Sequence, residues 1–454
     1  MTALLARIRR DTATSHGPVG RRELPAWPVL ILLWGMPLWW ALGLLPFASV
    51  VMAVPMAALL TQRRLDLTPG ILPWFAFVAW MLPCALMLDS VGRMVGFSVR
   101  FAQFASIAIV LLYLVNARRS LTSSRLVAGL TFTWVFVILG GYLGLLWPEV
   151  TLTQTIGQLL PGVLHENEYV SDLVFPPFAE VQTPWGAEEP FVRPSAPYAY
   201  TNGWGAAMAI LTPVAIAHAV QRRTAAAVAV VGIGILAAVP PAIATSNRGL
   251  FVGVAVAVAY VLVRLARRGQ WAVLFGATLL SVLMVLVLSL SGFLSTINAR
   301  QETVDTTEGR GLLYQETFAR TLESPLLGWG APRPSGWSEI SVGTQGMVWN
   351  AMFCFGFVGL LLFVWFLVGG ILRTWRAPTS TALWLHASLV AALVMSVFYG
   401  LDRHMITIAI VMAILLRERY PSTRGNSDPA EAEAGSEAES ETESLSPAVT
   451  TGSR

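Results

Sequence analysis

The chain has 454 residues, of which 55% are hydrophobic and 12% charged, with a formal net charge of +4 and a mean hydropathy of +0.63. Average globular proteins carry about 25% charged residues, so this composition excludes a soluble protein of this length and predicts an integral membrane protein.

The first 26 residues are polar and rich in Arg. The apolar run behind them is too long, and too poorly supplied with a cleavage site, for a removable signal peptide, so we expect this segment to be retained. Cys84 and Cys354 both lie inside apolar runs, which predicts buried thiols rather than a disulfide or a metal site.

Apolar runs that could cross a bilayer follow one another from residue 27 onward. Since about 20 apolar residues span the hydrocarbon, we predict an all-α polytopic integral membrane protein with about twelve transmembrane helices. The first two runs are nearly fused and the last is short, so eleven is the alternative count. The predicted spans are residues 27–43, 45–61, 71–88, 101–116, 126–147, 204–220, 225–243, 249–265, 271–292, 347–372, 381–400 and 404–416.

The distribution of Arg favours twelve spans in the cell membrane with both termini in the cytoplasm. Cytoplasmic loops collect positive charge, and this topology places 21 of the 30 basic residues, all of them Arg, in cytoplasmic segments. An error of one span would reverse every loop beyond it and destroy the pattern.

Two large extracytoplasmic loops result from this topology, residues 148–203 and 293–346. Structureless loops beyond about 15 residues are usually functional or disordered, and the aromatic residues in both predict that they are folded. In the second, Tyr314, Phe318 and Leu322 follow at four-residue steps and predict an amphipathic helix on the membrane surface.

The C-terminal tract is rich in Glu, Ser and Ala. It cannot bury enough apolar surface to offset its ordering entropy, which predicts a disordered acidic cytoplasmic tail. The predicted organisation is a cytoplasmic segment at 1–26, helices 1–5 at 27–147, the first loop at 148–203, helices 6–9 at 204–292, the second loop at 293–346, helices 10–12 at 347–416 and the tail at 417–454.

Three exterior Arg residues stand against the positive-inside bias. Arg193 precedes the sixth span, Arg248 follows the seventh, and Arg310 opens the amphipathic stretch. Each needs a carboxylate partner, an anionic ligand or a snorkelling position at the interface. Together they predict a basic pocket at the outer leaflet, because guanidinium groups suit a phosphate or a diphosphate.

The run PPAIATSNRG, residues 240–249, predicts a break in helical structure beside Arg248. Two consecutive Pro residues cannot continue a regular helix without a kink and freed carbonyls. Ser246, Asn247 and Gly249 can form a turn that exposes amide donors. Because a break at membrane depth is tolerated only where it lines protein or a cavity, we expect a cavity that opens outward.

Four runs resemble, in order and spacing, the successive motifs of the O-antigen ligase and O-antigen polymerase superfamily. They are VRPSAPYAYTNGWGA, TSNRG, GRGLLYQETFARTLESPLLGWG and GTQGMVWNAMFCFGFVGLLLF. The family pattern is an Arg followed by Asn before a span, a Ser-Arg turn, a Gly-Arg before an aromatic residue, a Pro-Leu-Gly-x-Gly turn and a Gly-x-x-Gly in the next span. The resemblance covers about residues 147–363, and the all-Arg, Ala-rich composition indicates a high-GC Gram-positive bacterium.

The resemblance implies a glycosyltransferase on the outer face of the cytoplasmic membrane. Members move a glycan from a polyprenyl diphosphate to an acceptor hydroxyl, with inversion and without a metal, a cofactor or a nucleotide sugar. The expected partners are the lipid-linked donor, a glycan or lipid acceptor and membrane lipids, with no nucleic acid. The expected role is cell-envelope or exopolysaccharide biosynthesis.

By the same resemblance, Arg193 and Arg248 become the diphosphate-binding candidates and Arg310 a weaker third. We also expect Asn202 to cap the sixth span. The positioning candidates are Asn202, Ser246 and Asn247.

One position departs from the family pattern. Members commonly place a His eleven positions before the Gly-x-x-Gly, as the base or positioning group for the acceptor, and this chain has Gln345 there. Glutamine can orient a hydroxyl but cannot accept its proton at neutral pH. Other groups of the first loop that could serve, with a solvated loop residue as the alternative for each, are His165, Glu166, Glu168, Glu188 and Glu189.

Two other interpretations stay open. Twelve spans are typical of transporters, and a transporter of a lipid-linked or anionic substrate is one alternative. However, the spans are almost free of charge and show no repeated halves, which transporters usually have. The other is a non-catalytic relative that binds the donor, which Gln345 keeps open.

Overall fold

The computed structural model describes residues 23–62, 65–165, 167–182, 190–271, 306–338 and 340–420, with a few helical positions between 275 and 289. Within these residues the chain is mostly helical and contains one two-stranded sheet.

The helices are α1 (Trp27–Trp34), α2 (Met36–Ala41), α3 (Ala48–Thr61), α4 (Leu72–Cys84), α5 (Val91–Asn116), α6 (Ser123–Leu146), α7 (Gly162–His165), α8 (Glu168–Val174), α9 (Thr201–Arg222), α10 (Ala225–Ala244), α11 (Arg248–Arg267), α12 (Thr306–Thr321), α13 (Met347–Arg373), α14 (Ser380–Phe398) and α15 (Met405–Arg419). The strands are β1 (Ala179–Gln182) and β2 (Phe191–Pro194), and short 3₁₀ turns occupy Leu45–Phe47, Ala85–Met87 and Ile156–Leu159.

The predicted spans coincide with these helices, apart from residues 271–292, most of which lie outside the described part of the chain. In the part of the chain that the structure describes, seven helices are long and apolar enough to cross a membrane, namely α5, α6, α9, α10, α11, α13 and α14. Two shorter apolar stretches are Leu45–Thr61 and Leu72–Met87. These helices indicate a multi-pass membrane protein, and the number of twelve stays a prediction.

The first and last predicted spans differ in detail from the helices observed. The first is divided into α1 and α2, because Pro37 has no N–H with which to continue the helical ladder. At the other end, α15 continues to Arg419, beyond the predicted boundary at residue 416, and buries Arg417. Residues 421–454 of the predicted tail lie outside the described residues.

Helix α9 packs against α14, α6, α11 and α10. The buried indole of Trp204 in α9 donates to the carbonyl of Val137 in α6 at 2.8 Å. On another side, Ser388 in α14 donates to the carbonyl of Ile210 in α9 at 2.7 Å. Such interhelical hydrogen bonds are important in a bilayer, where lipid tails are as apolar as the helices. They fix α9 firmly against α6 and α14.

Helix α13 is broken at Gly356, which has a φ of 69° and a ψ of −174°. The carbonyls of Phe353 and Cys354 accept hydrogen bonds from the amides of Trp329 and Gly330 at 2.9 and 2.8 Å. The turn that follows α12 therefore fills the break, as irregular backbone at membrane depth requires. A Cβ at Gly356 would overlap the backbone of this turn.

Helix α12 lies in the segment 293–346 that the sequence predicts to be the second exterior loop. Tyr314 stacks on Trp349 of α13, with 4.3 Å between the ring centroids and 9° between the ring planes. Phe318 and Leu322 are exposed. That exposure suits a helix on the membrane surface, a location that stays a prediction.

Candidate functional site

Arg193 lies in β2 and is held by the opposite strand. β1 and β2 are antiparallel with Glu180 directly across from Arg193, and the carboxylate accepts from Nη1 of Arg193 at 3.1 Å. The other oxygen of Glu180 accepts from the amide of Thr201, at the start of α9, at 2.9 Å. Nε of Arg193 donates to the carbonyl of Thr245 at 3.0 Å. The guanidinium thus ties the hairpin to α9 and to the turn after α10.

That turn lies at Ser246 and Asn247, where the sequence predicts it. Helix α10 continues through both prolines to Ala244. Ser246 then takes a left-handed conformation with a φ of 49°, and Asn247 caps α11 by accepting from the amide of Leu250 at 3.1 Å. The break leaves the carbonyl of Thr245 outside the helical ladder, where Arg193 uses it.

Tyr399, at the end of α14, connects the remaining groups of the turn. Its hydroxyl donates to Oδ1 of Asn247 at 2.6 Å and accepts from the amide of Gly249 at 3.2 Å. Of the amide donors that the sequence predicts to be exposed at this turn, those of Ser246 and Gly249 are already engaged, which corrects the prediction for these two residues.

Arg310 approaches the same tyrosine from α12. Its guanidinium carbon lies 5.9 Å from the centroid of the Tyr399 ring. Among the described residues it forms no ion pair. Arg310 is half-buried and close enough to Arg193 to influence its protonation.

The arginine cluster is defined as Arg193 and Arg310 near Tyr399, together with Arg248 at the start of α11. The pKa of Arg193 depends first on burial and then on its neighbours. Burial lowers the pKa of Arg193 below its ordinary value, the carboxylate of Glu180 raises it, and the charge of Arg310 lowers it again. Arginine nevertheless remains protonated in proteins. Arg193, Arg310 and the single carboxylate of Glu180 together carry a net positive charge.

Arg248 is the first residue of α11, and its side chain is exposed. A helix N-terminus carries a partial positive charge and favours anions. Arg248 therefore adds an exposed positive charge at the N-terminus of α11, which Asn247 caps.

The positioning candidates meet in one place, although one has a different role from that expected. Asn202 does not cap the sixth span: α9 begins at Thr201 after Tyr200, and no side chain caps it. The side-chain oxygen Oδ1 of Asn202 instead accepts from Nδ2 of Asn247 at 3.4 Å. The reason is that the hairpin brings Glu180, not Asn202, to the first free amide of α9.

Gln345 is half-buried and precedes the start of α13. Two residues later, the amide of Met347 donates to the carbonyl of Tyr399 at 3.0 Å. The structure therefore brings the backbone around Gln345 to the end of α14 that carries Tyr399.

The structure does not describe the side chains of the other residues that the sequence proposes as proton acceptors. His165 ends α7 and Glu168 begins α8, but their side chains are outside the described atoms. Glu166, Glu188 and Glu189 lie outside the described residues altogether. Among the residues described, no group of three or more His, Cys, Asp or Glu could hold a metal ion.

Sequence reasoning missed Glu180 and Tyr399. Glu180 is in none of the motifs, and its pairing with Arg193 depends on the register of the hairpin. Tyr399 lies at the end of a predicted span, where a tyrosine is most simply an interfacial aromatic residue. The signal in the sequence that could have pointed to Tyr399 is Arg403, another Arg on the predicted exterior side, which lies four residues beyond Tyr399.

Comparison with known proteins gives one result that bears on this site. No curated protein matches the chain. Residues 242–355 match the O-antigen ligase family, and this region includes Arg248, Arg310 and Gln345. It begins at the end of α10, includes the turn before α11, and its last residue precedes the break at Gly356. Over these residues the chain is similar to the O-antigen ligase family, in agreement with the resemblance of its motifs.

Proposed function

We propose that the protein transfers a glycan from a polyprenyl diphosphate donor to an acceptor hydroxyl on the outer face of the cytoplasmic membrane. The observation that carries the proposal is the convergence of Arg193 and Arg310 on Tyr399, beside the N-terminus of α11. Envelope or exopolysaccharide synthesis would use such a reaction.

The cluster suits the charge that develops during the reaction. As the bond between the anomeric carbon and the phosphate oxygen breaks, the departing diphosphate gains negative charge. Guanidinium groups fixed in advance in a site of low dielectric stabilise that charge where it forms. Arg193 is fixed by Glu180 and Thr245, so it requires little reorganisation.

The three arginines would divide the work. Arg193 is buried and already bonded, so it sets the local potential. Arg310 and Arg248 form no ion pair within the described residues and would provide the direct contacts to phosphate oxygens. Asn202, Ser246 and Asn247 would hold the turn that positions Arg248.

The new glycosidic bond forms from the acceptor oxygen to the anomeric carbon, and the acceptor proton has to leave. Gln345 can orient the hydroxyl but cannot take that proton. Glu189 and His165 remain the residues that we propose to take this proton. Glu180 is less suitable, because its carboxylate is already bonded to Arg193 and to Thr201.

A donor-binding protein without transferase activity is the second candidate, favoured by Gln345 at the position where the family commonly has His. The Gln345→His variant bears on this choice. We expect it to keep or raise activity if the position faces the acceptor. Loss of activity with intact donor binding would show that the site is built around the amide.

Reconstitution in liposomes separates the candidates. The purified protein is supplied with an undecaprenyl diphosphate glycan and a soluble glycan acceptor. Transfer to the acceptor supports the proposal, movement of the donor across the bilayer without transfer supports a transporter, and binding alone supports the non-catalytic relative.

A further inference from the structure

A groove runs along the exposed face of α13 toward the C-terminus of that helix. The α13 groove is defined by six residues of this one helix, namely Leu361, Trp365, Val368, Gly369, Leu372 and Arg373. Leu361, Trp365 and Leu372 are 66%, 51% and 64% exposed, and α13 is long and apolar enough to cross a membrane. None of the three arginines of the cluster lines the groove. A ligand in it would therefore bind apart from the proposed diphosphate site.

The guanidinium group of Arg373 lies inside this groove. A Cβ at Gly369, one turn closer to the N-terminus, would lie 2.8 Å from Nη1 of Arg373 and 3.0 Å from Cδ1 of Trp365. Helical side chains point toward the N-terminus, and the predicted topology places Arg373 at the cytoplasmic end of α13. The charge thus points along the apolar groove, whereas a snorkelling side chain would point toward cytoplasmic water.

No protein group compensates the charge of Arg373 within the part of the chain that the structure describes. Arg373 forms neither an ion pair nor a hydrogen bond there. Its stem is held in place, because Cδ lies 3.4 Å from the position of a Cβ at Gly70, in the turn before α4. A charge beside hydrocarbon without a counter-charge is costly. The half-buried guanidinium therefore favours an anion from outside the chain.

The length of the groove restricts what this anion is. Leu361 and Arg373 are separated by about 18 Å along the helix axis, at 1.5 Å per residue. One leaflet of a bilayer contributes roughly 15 Å of hydrocarbon. A free phosphate would leave the apolar part of the groove uncovered, whereas a phospholipid provides both a phosphate and a chain of this length.

We propose that the α13 groove binds one anionic phospholipid, with its phosphate on Arg373 and one acyl chain along Trp365 and Gly369. A zwitterionic headgroup carries an ammonium group that offsets its phosphate, so it attracts the guanidinium less. One arginine near a headgroup corresponds to about a 5-fold preference for the anionic lipid. The inference does not rest on the proposed function, since a relative without transferase activity could have the same groove.

Native mass spectrometry of the full chain, released from detergent micelles, tests the proposal. The probes are palmitoyl-oleoyl phosphatidylglycerol, which is anionic, and palmitoyl-oleoyl phosphatidylcholine, which is zwitterionic. We expect the first phosphatidylglycerol to bind about 5-fold more tightly than the first phosphatidylcholine. Excess glycerol 3-phosphate distinguishes the source of the phosphate. It should not displace the lipid, because it cannot occupy the apolar part of the groove.

Two variants locate the binding. Arg373→Gln removes the charge, and Gly369→Ala puts a Cβ where the guanidinium lies and displaces it. Each should weaken phosphatidylglycerol binding by about 5-fold and leave phosphatidylcholine binding nearly unchanged. The matched controls are Arg376→Gln, at an exposed position outside the groove, and Gly232→Ala, where nothing lies within 4 Å of a Cβ. Both should bind as the wild type does.

Thermal unfolding separates a lost site from a lost fold. Gly369→Ala should melt at or above the wild-type temperature, because alanine is the better helix former. Equal binding of the two lipids by the wild type, or wild-type binding in both groove variants, would overturn the proposal. The same loss in Arg376→Gln would assign the effect to diffuse surface charge, and displacement by glycerol 3-phosphate to a free phosphate. Dimers that exclude the lipid would assign the groove to a second copy of the chain, and each of these results also contradicts the proposal.

Discussion

The arginines of the cluster differ in the group that compensates their charge. This difference decides which of them a diphosphate would contact. Arg193 is paired with Glu180 and 7% exposed. Arg310 lies over an aromatic ring instead, which stabilises a cation without cancelling its charge. On this basis Arg310, the weakest of the three candidates by motif alone, becomes the residue we expect to contact the donor.

Tyr399 is the residue whose hydroxyl connects the cap of α11 to the end of α14. Tyr399→Phe removes two hydrogen bonds, to Asn247 and from Gly249, but keeps the ring under Arg310. We expect a loss of about 1–2 kcal/mol in the free energy of unfolding. Transfer should fall as well, because the turn that carries Arg248 loses its anchor.

Chemical denaturation and glycan transfer measured on the same Tyr399→Phe preparation check this expectation. Tyr142→Phe in α6 is the matched control. Wild-type stability and wild-type transfer in Tyr399→Phe would show that the hydroxyl has no part in the site.

At the residue scale, the sequence was informative about charge and uninformative about pairing. Arg193, Arg248 and Arg310 are visible because each opposes the positive-inside bias. Glu180 is not visible, because its contact with Arg193 depends on a hairpin register that no motif specifies. The predicted Asn202 cap is wrong because tertiary contacts provide another acceptor for the first amide of α9.

The turn that follows α12 packs into the break in helix α13 and so joins the two helices. Gly356→Ala would put a side chain at a positive φ and against the backbone of the turn at residues 325–330. Strain and overlap together should cost at least about 2 kcal/mol. A decrease in melting temperature in detergent, relative to the wild type, measures this cost.

Gly232→Ala in α10 provides the comparison, because nothing lies within 4 Å of a Cβ there. It should leave the melting temperature unchanged or raise it slightly, since alanine is the better helix former. Equal melting temperatures for the two variants would contradict the docking of the turn into α13.

Glu316 fastens α12 to the loop after it. Its carboxylate accepts from Oγ of Ser335 at 2.6 Å, from the amide of Gly336 at 3.2 Å and from Arg320 at 3.4 Å. Burial acts to raise the pKa of Glu316, but these hydrogen bonds and the Arg320 charge outweigh it and hold the pKa below its ordinary value of 4.5.

A lowered folded-state pKa means that the stabilisation is present above the unfolded value and is lost as the pH falls through the folded one. We therefore expect the hydrogen-exchange protection factor of the Gly336 amide to be constant above pH 4.5 and to decrease below it. Glu316→Gln should show weaker protection with no such step. The same step in the variant would assign the pH dependence to another group.

At the element scale, apolar length predicted most of the helices. Boundaries were less predictable where proline or tertiary contacts intervene. α10 contains both prolines and ends one residue beyond its predicted boundary, and the turn at Ser246 lies where it was predicted. The break in α13 was not predicted, because a glycine in an apolar run does not reveal that a distant turn will dock against it.

For the whole molecule, the proposed reaction requires that both large loops lie outside the cell membrane. Thr344→Cys and Gln270→Cys place single exposed thiols on opposite predicted sides, and Cys84 and Cys354 are fully buried and should give little background. An impermeant maleimide should label Thr344→Cys on intact cells and Gln270→Cys only after permeabilisation. The reverse pattern would contradict the proposed topology.

The central claim is that the arginine cluster stabilises a departing diphosphate, and the transfer rate of Arg310→Ala in donor-loaded liposomes tests it most directly. Loss of one such group from a transition state costs about 10²- to 10³-fold in rate. We expect a decrease of that size for Arg310→Ala, a smaller one for Arg310→Lys, and none for Arg119→Ala, whose side chain is 76% exposed and lies on the opposite predicted side. Near wild-type transfer by Arg310→Ala and by Arg248→Ala, with normal transfer by the control, would contradict the account.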